Sequence, residues 1–124
     1  MSTWRQKAIK CLPEQRKDFQ DPQTSIYEVF SELLPAAIEF HKQQNIPRLR
    51  EIYDFAEWCF RQKSKELWNA AGVSFYEHLG DHEETSREIR QWVKPDIYAE
   101  IRELLKWRLS EQEFKKIDAR SPHP

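Results

Sequence analysis

The sequence predicts an all-α domain: a compact bundle, or stacked antiparallel helical hairpins, of five to six helices. Three observations carry that prediction. Apolar residues recur at helical spacing along most of the chain. No run of β-branched residues alternates with polar ones between turn signals, as strands would require. Glycine occurs at only two of 124 positions, Gly72 and Gly80, against seven prolines, so there is no glycine loop to cradle a phosphate.

Taken in order, residues 3–11 read as a short first helix bearing Trp4, Ala8 and Ile9. Pro13 suits the first turn of a brief second helix reaching about Phe19, and residues 20–24 form a loop. Ser25 with Glu28 makes a capping-box pattern that opens a longer helix. There Ile26, Val29, Phe30, Leu33, Ala37 and Phe40 fall on one stripe, flanked by Leu34 and His41. Pro35 lies on the opposite side, where a proline bend is tolerated because helices curve away from solvent.

Asn45-Ile46-Pro47 marks a turn and the next helix start, over about 47–63. Leu49, Ile52, Tyr53, Ala56, Cys59 and Phe60 share its stripe, whereas Phe55 and Trp58 project elsewhere. That pattern implies a central helix touched by several neighbours, or one with an exposed ring. Residues 65–79 continue the periodicity, with Gly72 costing roughly 1 kcal/mol relative to alanine and Gly80 acting as a helix stop. Residues 81–84 read as an acidic loop. A second capping box, Thr85 with Glu88, is expected to open a short helix. Pro95 then starts a last helix that frays after Ile117. Residues 1–120 form one domain, and residues 121–124 are expected to be a disordered tail.

Composition argues against several classes of function. Twenty basic and 21 acidic residues give a net charge of −1, so there is no basic field for nucleic acid or for an anionic membrane surface. No apolar run approaches the ~18 residues that span a bilayer, and the N-terminus lacks the apolar core of an export signal. Without such a signal, Cys11 and Cys59 are expected as free, buried thiols of a cytoplasmic protein. No cofactor is indicated.

The candidate sites are few. His78 and His82 are spaced for a shared metal on an unbroken helix, but Gly80 between them removes the common face, so no metal site is expected. Cys59 sits on an apolar stripe between Trp58 and Phe60, which favours an inert thiol over a nucleophile. No catalytic residue is assigned, and the chain is expected not to be an enzyme. His41, His78 and Arg108 are polar groups on predicted core stripes. They are expected either to meet partners or reach water, or to line a polar groove between helices. Trp58, Trp68, Tyr76 and Trp107 fall off their stripes or at the margins. Such rings either fill a second layer of core or form a binding patch, since tryptophan is enriched where proteins grip one another.

The runs Ser31-Glu32-Leu33-Leu34-Pro35, Tyr53-Asp54-Phe55-Ala56-Glu57-Trp58-Cys59 and Val73-Ser74-Phe75-Tyr76-Glu77-His78-Leu79 resemble a family of small, stand-alone bacterial proteins classed as a domain of unknown function. The resemblance spans roughly residues 5–110. It implies an all-helical bacterial cytosolic protein and carries no activity or catalytic residues.

The leading expectation is therefore a non-enzymatic module that binds another protein, of the kind represented by immunity or antitoxin inhibitors of bacterial toxins. The alternatives are a small ligand-binding protein or enzyme using a His/Arg groove, and an uncharacterised nucleic-acid-associated protein. Oligomeric state is left open.

Overall fold

The computed structural model describes residues 1–120, and the expected tail at 121–124 lies outside the described residues. It is all-helical, with nine α-helices and two 3-10 segments among those residues, more than the five to six expected. The helices are α1 (Thr3–Cys11), α2 (Arg16–Phe19), α3 (Ile26–Gln43), α4 (Ile46–Phe60) and α5 (Lys65–Ser74), then α6 (Glu83–Ser86), α7 (Ile89–Trp92), α8 (Pro95–Arg108) and α9 (Glu111–Asp118). The 3-10 segments are Pro13–Gln15 and Tyr76–Asp81.

The first half follows local sequence signals closely. Ser25 and Glu28 form the reciprocal capping box: Glu28 N–H donates to Ser25 Oγ at 3.1 Å, and Ser25 N–H to Glu28 Oε1 at 3.2 Å. From that start α3 buries Ile26, Val29, Phe30, Leu33, Ala37 and Phe40 along the predicted stripe. Pro35 is exposed, so the hydrogen bond it removes leaves a carbonyl facing water. Helices α3, α4 and α5 pack against one another, and α1 covers another side of α4. Because α4 has neighbours on several sides, Phe55 is buried although it lies off the main stripe.

Aromatic rings connect these helices. The Phe30 ring lies 5.4 Å from Phe55 and 5.7 Å from Phe75. Phe75 in turn meets Tyr53 at 5.5 Å and Tyr76 at 5.6 Å, and Tyr53 stacks on Trp92 at 5.3 Å. Each such pair contributes about 0.5–1.5 kcal/mol beyond its buried area.

The second half departs from the sequence expectation at several places. The helix over 65–79 ends at Ser74, where Phe75 leaves helical geometry (φ −130°, ψ −72°) to enter the core. Thr85 does not cap a helix with Glu88. It lies inside α6, fully buried, with its hydroxyl donating to the Leu79 carbonyl. The final helix breaks at Ser110, which forms its own capping box with Glu113 at 3.1 Å in both directions. A carboxylate latch then docks α9: Asp118 accepts from Tyr98 Oη at 2.9 Å and from Arg102 Nε and Nη2 at 2.9 and 2.8 Å.

Gly80 is not a left-handed helix stop, since no glycine has positive φ. Its role is close approach. A Cβ built there would lie 2.7 Å from Leu109 Cδ1 and 3.3 Å from Leu109 Cγ, so the α8–α9 junction rests on this bare backbone. Gly80→Ala is expected to destabilise the fold by about 1 kcal/mol, the low end for overpacking, because the half-buried end of Leu109 can yield. Adding Leu109→Ala should recover part of that loss. A double-mutant cycle from urea unfolding reads the coupling, and strict additivity would contradict it.

Candidate functional site

The predicted site residues separate into a buried polar node, a surface ion cluster and an aromatic face. His41, on the last turn of α3, is the centre of the node, and its side chain is wholly buried. Nδ1 lies 2.6 Å from Glu88 Oε1, and Nε2 lies 2.8 Å from Tyr53 Oη. The carboxylate can only accept, so Nδ1–H donates to Glu88 and Nε2 accepts from the Tyr53 hydroxyl. A neutral imidazole thus satisfies both contacts.

Gln44 completes the node. It follows α3 in left-handed geometry (φ 52°, ψ 43°), where glycine is usual. Its amide nitrogen donates to the His41 carbonyl at 2.8 Å and to Glu88 at 3.3 Å. Burial lowers the His41 pKa below the usual value, outweighing the hydrogen bond and charge of Glu88 that would raise it. Burial likewise pushes the Tyr53 phenol well above its ordinary range. The ring has no exposed side-chain surface, and the node ties α3 to the segment between α6 and α7. Sequence reasoning missed Glu88 and Gln44 because Glu88 fits the capping-box pattern with Thr85.

His78 and Arg108 meet elsewhere, at Asp81. Arg108 Nε donates to Asp81 Oδ1 at 2.9 Å, and Nη2 lies 2.9 Å from Oδ2. His78 Nδ1 lies 3.1 Å from Oδ2. Partial burial opposes ionisation of Asp81, yet the hydrogen bonds from Arg108 and His78 hold its carboxyl below the usual range. Arg108 is at the exposed end of α8, so it reaches water and a carboxylate together. Of the two readings of these groups, the structure gives the one in which each meets its own partner: His41 pairs with Glu88 and Arg108 with Asp81, and no hydrogen bond joins His41 to the other two in a shared groove.

The tryptophans and Tyr76 also divide. Tyr76 is 1% exposed and packs on Phe60 and Phe75, which removes it from any surface patch. Its place after the break at Phe75 turns it inward. Trp58 is half-buried, with Lys7 Nζ 5.0 Å from its ring centroid. Trp68 is 39% exposed and Trp107 is 86% exposed.

Trp68 belongs to an apolar groove between α5 and α8. Phe60, Gly72 and Ile101 line it, together with Trp68, Val73 and Leu104, and Asn69 and Glu100 add polar edges. Gly72 keeps the groove open. A Cβ built there would meet only Phe60 Cε1, at 3.9 Å, so packing does not demand glycine at a position that costs roughly 1 kcal/mol of helix stability. On α8, Trp107 follows Glu100 by seven residues, two turns along the same edge, with Leu104 between them. The exposed indole therefore continues the line of the groove. The groove itself was not foreseen, because it needs α5 and α8 side by side and no local pattern encodes that.

Both cysteines are free and buried, with burial pushing each thiol up to about 12. No group of three or more His, Cys, Asp or Glu side chains is placed to hold a metal ion among the described residues. No helix there is long and apolar enough to cross a membrane.

The family described as a domain of unknown function (DUF7674) matches residues 5–108, and the chain belongs to it. No curated protein and no solved structure matches the chain.

The polar node has a measurable pH signature. With the folded His41 pKa depressed, the unfolded chain binds the extra proton, so stability rises with pH across the window from the folded value up to about 6.5. Unfolding free energy should therefore fall on acidification below about pH 6.5, with a His41 contribution of at most about 1.4 kcal/mol per pH unit. Arg87 opposes protonation, whereas Glu84 and Glu88 favour it. His41→Gln should flatten that part of the slope in urea titrations. An unchanged slope would show that His41 does not titrate on unfolding.

Proposed function

We propose that this family member is a non-enzymatic protein-binding module whose binding face is the α5–α8 groove with Trp68 and Trp107. One observation carries the reading: an indole 86% exposed continues the line of an apolar groove that the core does not need. A tryptophan offers about 150–250 Å² of surface to bury and is among the residues that dominate binding energy. Nothing in the packing of α8 uses Trp107, since the helix buries Ile97, Tyr98, Ile101 and Leu105 on other faces. The near-neutral charge suits a protein partner better than a polyanion.

The finer form of the reading is an immunity- or antitoxin-type inhibitor of a bacterial toxin, acting in the cytoplasm. It rests on analogy with other small, motif-free helical proteins. It is tested by expressing the product of the neighbouring gene with and without this chain. A harmless neighbour ends that form of the proposal.

The face is tested by affinity capture from the native host with wild-type and substituted baits. Trp107→Ala should leave unfolding free energy within about 0.5 kcal/mol while losing the captured partner. Gly72→Ala should raise stability by up to about 1 kcal/mol and weaken capture by narrowing the groove. A partner retained equally by both variants would place the binding face elsewhere.

A further inference from the structure

We propose that the occupant of this face is a basic amphipathic helix of another protein. Its apolar stripe lies in the α5–α8 groove, and its lysine or arginine side chains meet Glu100 and Glu103. The proposal rests on the protein-binding reading and names the chemistry of the partner.

Charge along the groove favours that chemistry. Among the described residues lining it, Glu100 is the single ionisable side chain. It is exposed, and among the described residues it has no ion pair and no side-chain hydrogen bond. Glu103, one turn on, has a side chain 69% exposed that meets Arg102 Nη1 at 3.9 Å. That guanidinium is committed to Asp118 at 2.8 Å, so the charge of Glu103 is weakly answered. Glu100, Glu103 and Trp107 fall within about 60° of one another around α8, so two carboxylates and the exposed indole share one edge.

Basic side chains are turned elsewhere. Lys106 lies about 100° round the helix from Trp107. Arg102 is directed at Asp118 and Arg108 at Asp81. Lys65 opens α5, seven residues before Gly72 and roughly 10 Å away along the axis. A purely apolar partner laid over this edge would strip water from the carboxylates and return nothing. An ammonium or guanidinium on the partner offsets that loss, and an acidic partner is repelled.

Shape agrees with a helix. From Glu100 to Trp107 is two turns of α8, roughly 10 Å, the length covered by apolar anchors at i, i+4 and i+7 of a helix lying in a groove. Glu100 and Glu103 are about 4.5 Å apart along the axis, within reach of two basic side chains one turn apart on that helix.

The experiment titrates the full chain against labelled synthetic helices, followed by fluorescence anisotropy. One helix carries a leucine–alanine stripe flanked by lysines at i, i+4 spacing. A second has glutamates in place of the lysines, and a third scrambles the order of the first. The lysine helix should bind roughly tenfold or more tightly than the other two, and less tightly as salt is added. Glu100→Gln with Glu103→Gln should weaken it roughly fivefold or more, and Trp107→Ala roughly tenfold or more. Glu39→Gln, on the exposed side of α3, should leave binding unchanged. Glu100→Lys with Glu103→Lys should transfer the preference to the glutamate helix. If circular dichroism shows that this reversed variant fails to fold, the glutamine pair carries the test.

A lysine helix bound no better than the glutamate or scrambled one overturns the proposal, as does a preference that the glutamine pair leaves intact. Self-association of the chain through Trp107 in sedimentation equilibrium would give the face to a second copy instead. In capture from the native host, a partner lost with Trp107→Ala but kept by the glutamine pair removes the basic helix and leaves the protein-binding reading standing. A partner kept by Trp107→Ala as well removes both.

Discussion

Phe75 is the residue on which the arrangement of the second half depends. Its ring needs a place between Phe30 and Tyr53, and helical backbone after Ser74 would not deliver it there. The chain breaks instead, and the 3-10 segment Tyr76–Asp81 carries Tyr76 against Phe60 and Asp81 toward Arg108. Helix α8 is then held by contacts at both ends, to the end of α4 and to the 3-10 segment. Arg61, just after α4, pairs with Asp96 at 2.8 Å near the start of α8, and Asp81 holds Arg108 at its end. The groove is the space left between two helices held in that register. Burial of one ring in the core therefore sets the geometry of the surface that the proposed function uses.

The polar node plays the matching role on the other side of the aromatic chain. Tyr53 both stacks with Trp92 and donates to His41, so the apolar and polar networks share a residue. Removing the Tyr53 hydroxyl would strand the buried His41 Nε2 without its partner, a cost of about 1–3 kcal/mol for a neutral group. Glu88 belongs to no regular helix, yet it is the anchor for His41 and Gln44. The short helices α6 and α7 owe their orientation to that contact and to the buried Thr85 hydroxyl as much as to their own sequences.

Much of the first half was legible from local chemistry. The Ser25–Glu28 box, the α3 stripe, the exposed side for Pro35 and the start of α4 at Asn45-Ile46-Pro47 all follow from rules that act within a few residues. The second half was less legible because its decisive contacts are distant in sequence. Thr85 and Glu88 have capping-box spacing, but Leu79 and His41 compete for their side chains and win. Gly80 reads as a helix stop, whereas its constraint comes from Leu109. Ser110 and Glu113 did carry a readable signal, hidden beneath an apolar period that runs on through it. At the candidate face, the off-stripe placement of Trp68 and Trp107 pointed outward correctly. Tyr76 did not, because its direction depends on the break made by Phe75.

The latch at Asp118 has a consequence for how the molecule comes apart. Three donor atoms, Tyr98 Oη and Arg102 Nε and Nη2, converge on that one carboxylate and hold its pKa at about 2. Helix α9, which lies beyond the residues the family match covers, adds only Phe114 and Ile117 to the buried interior. Strong acid neutralises the anchor and leaves little hydrophobic area to retain the segment. The C-terminal helix is then a separate foldon, able to open and exchange its amides while the larger body, including both walls of the groove, stays closed.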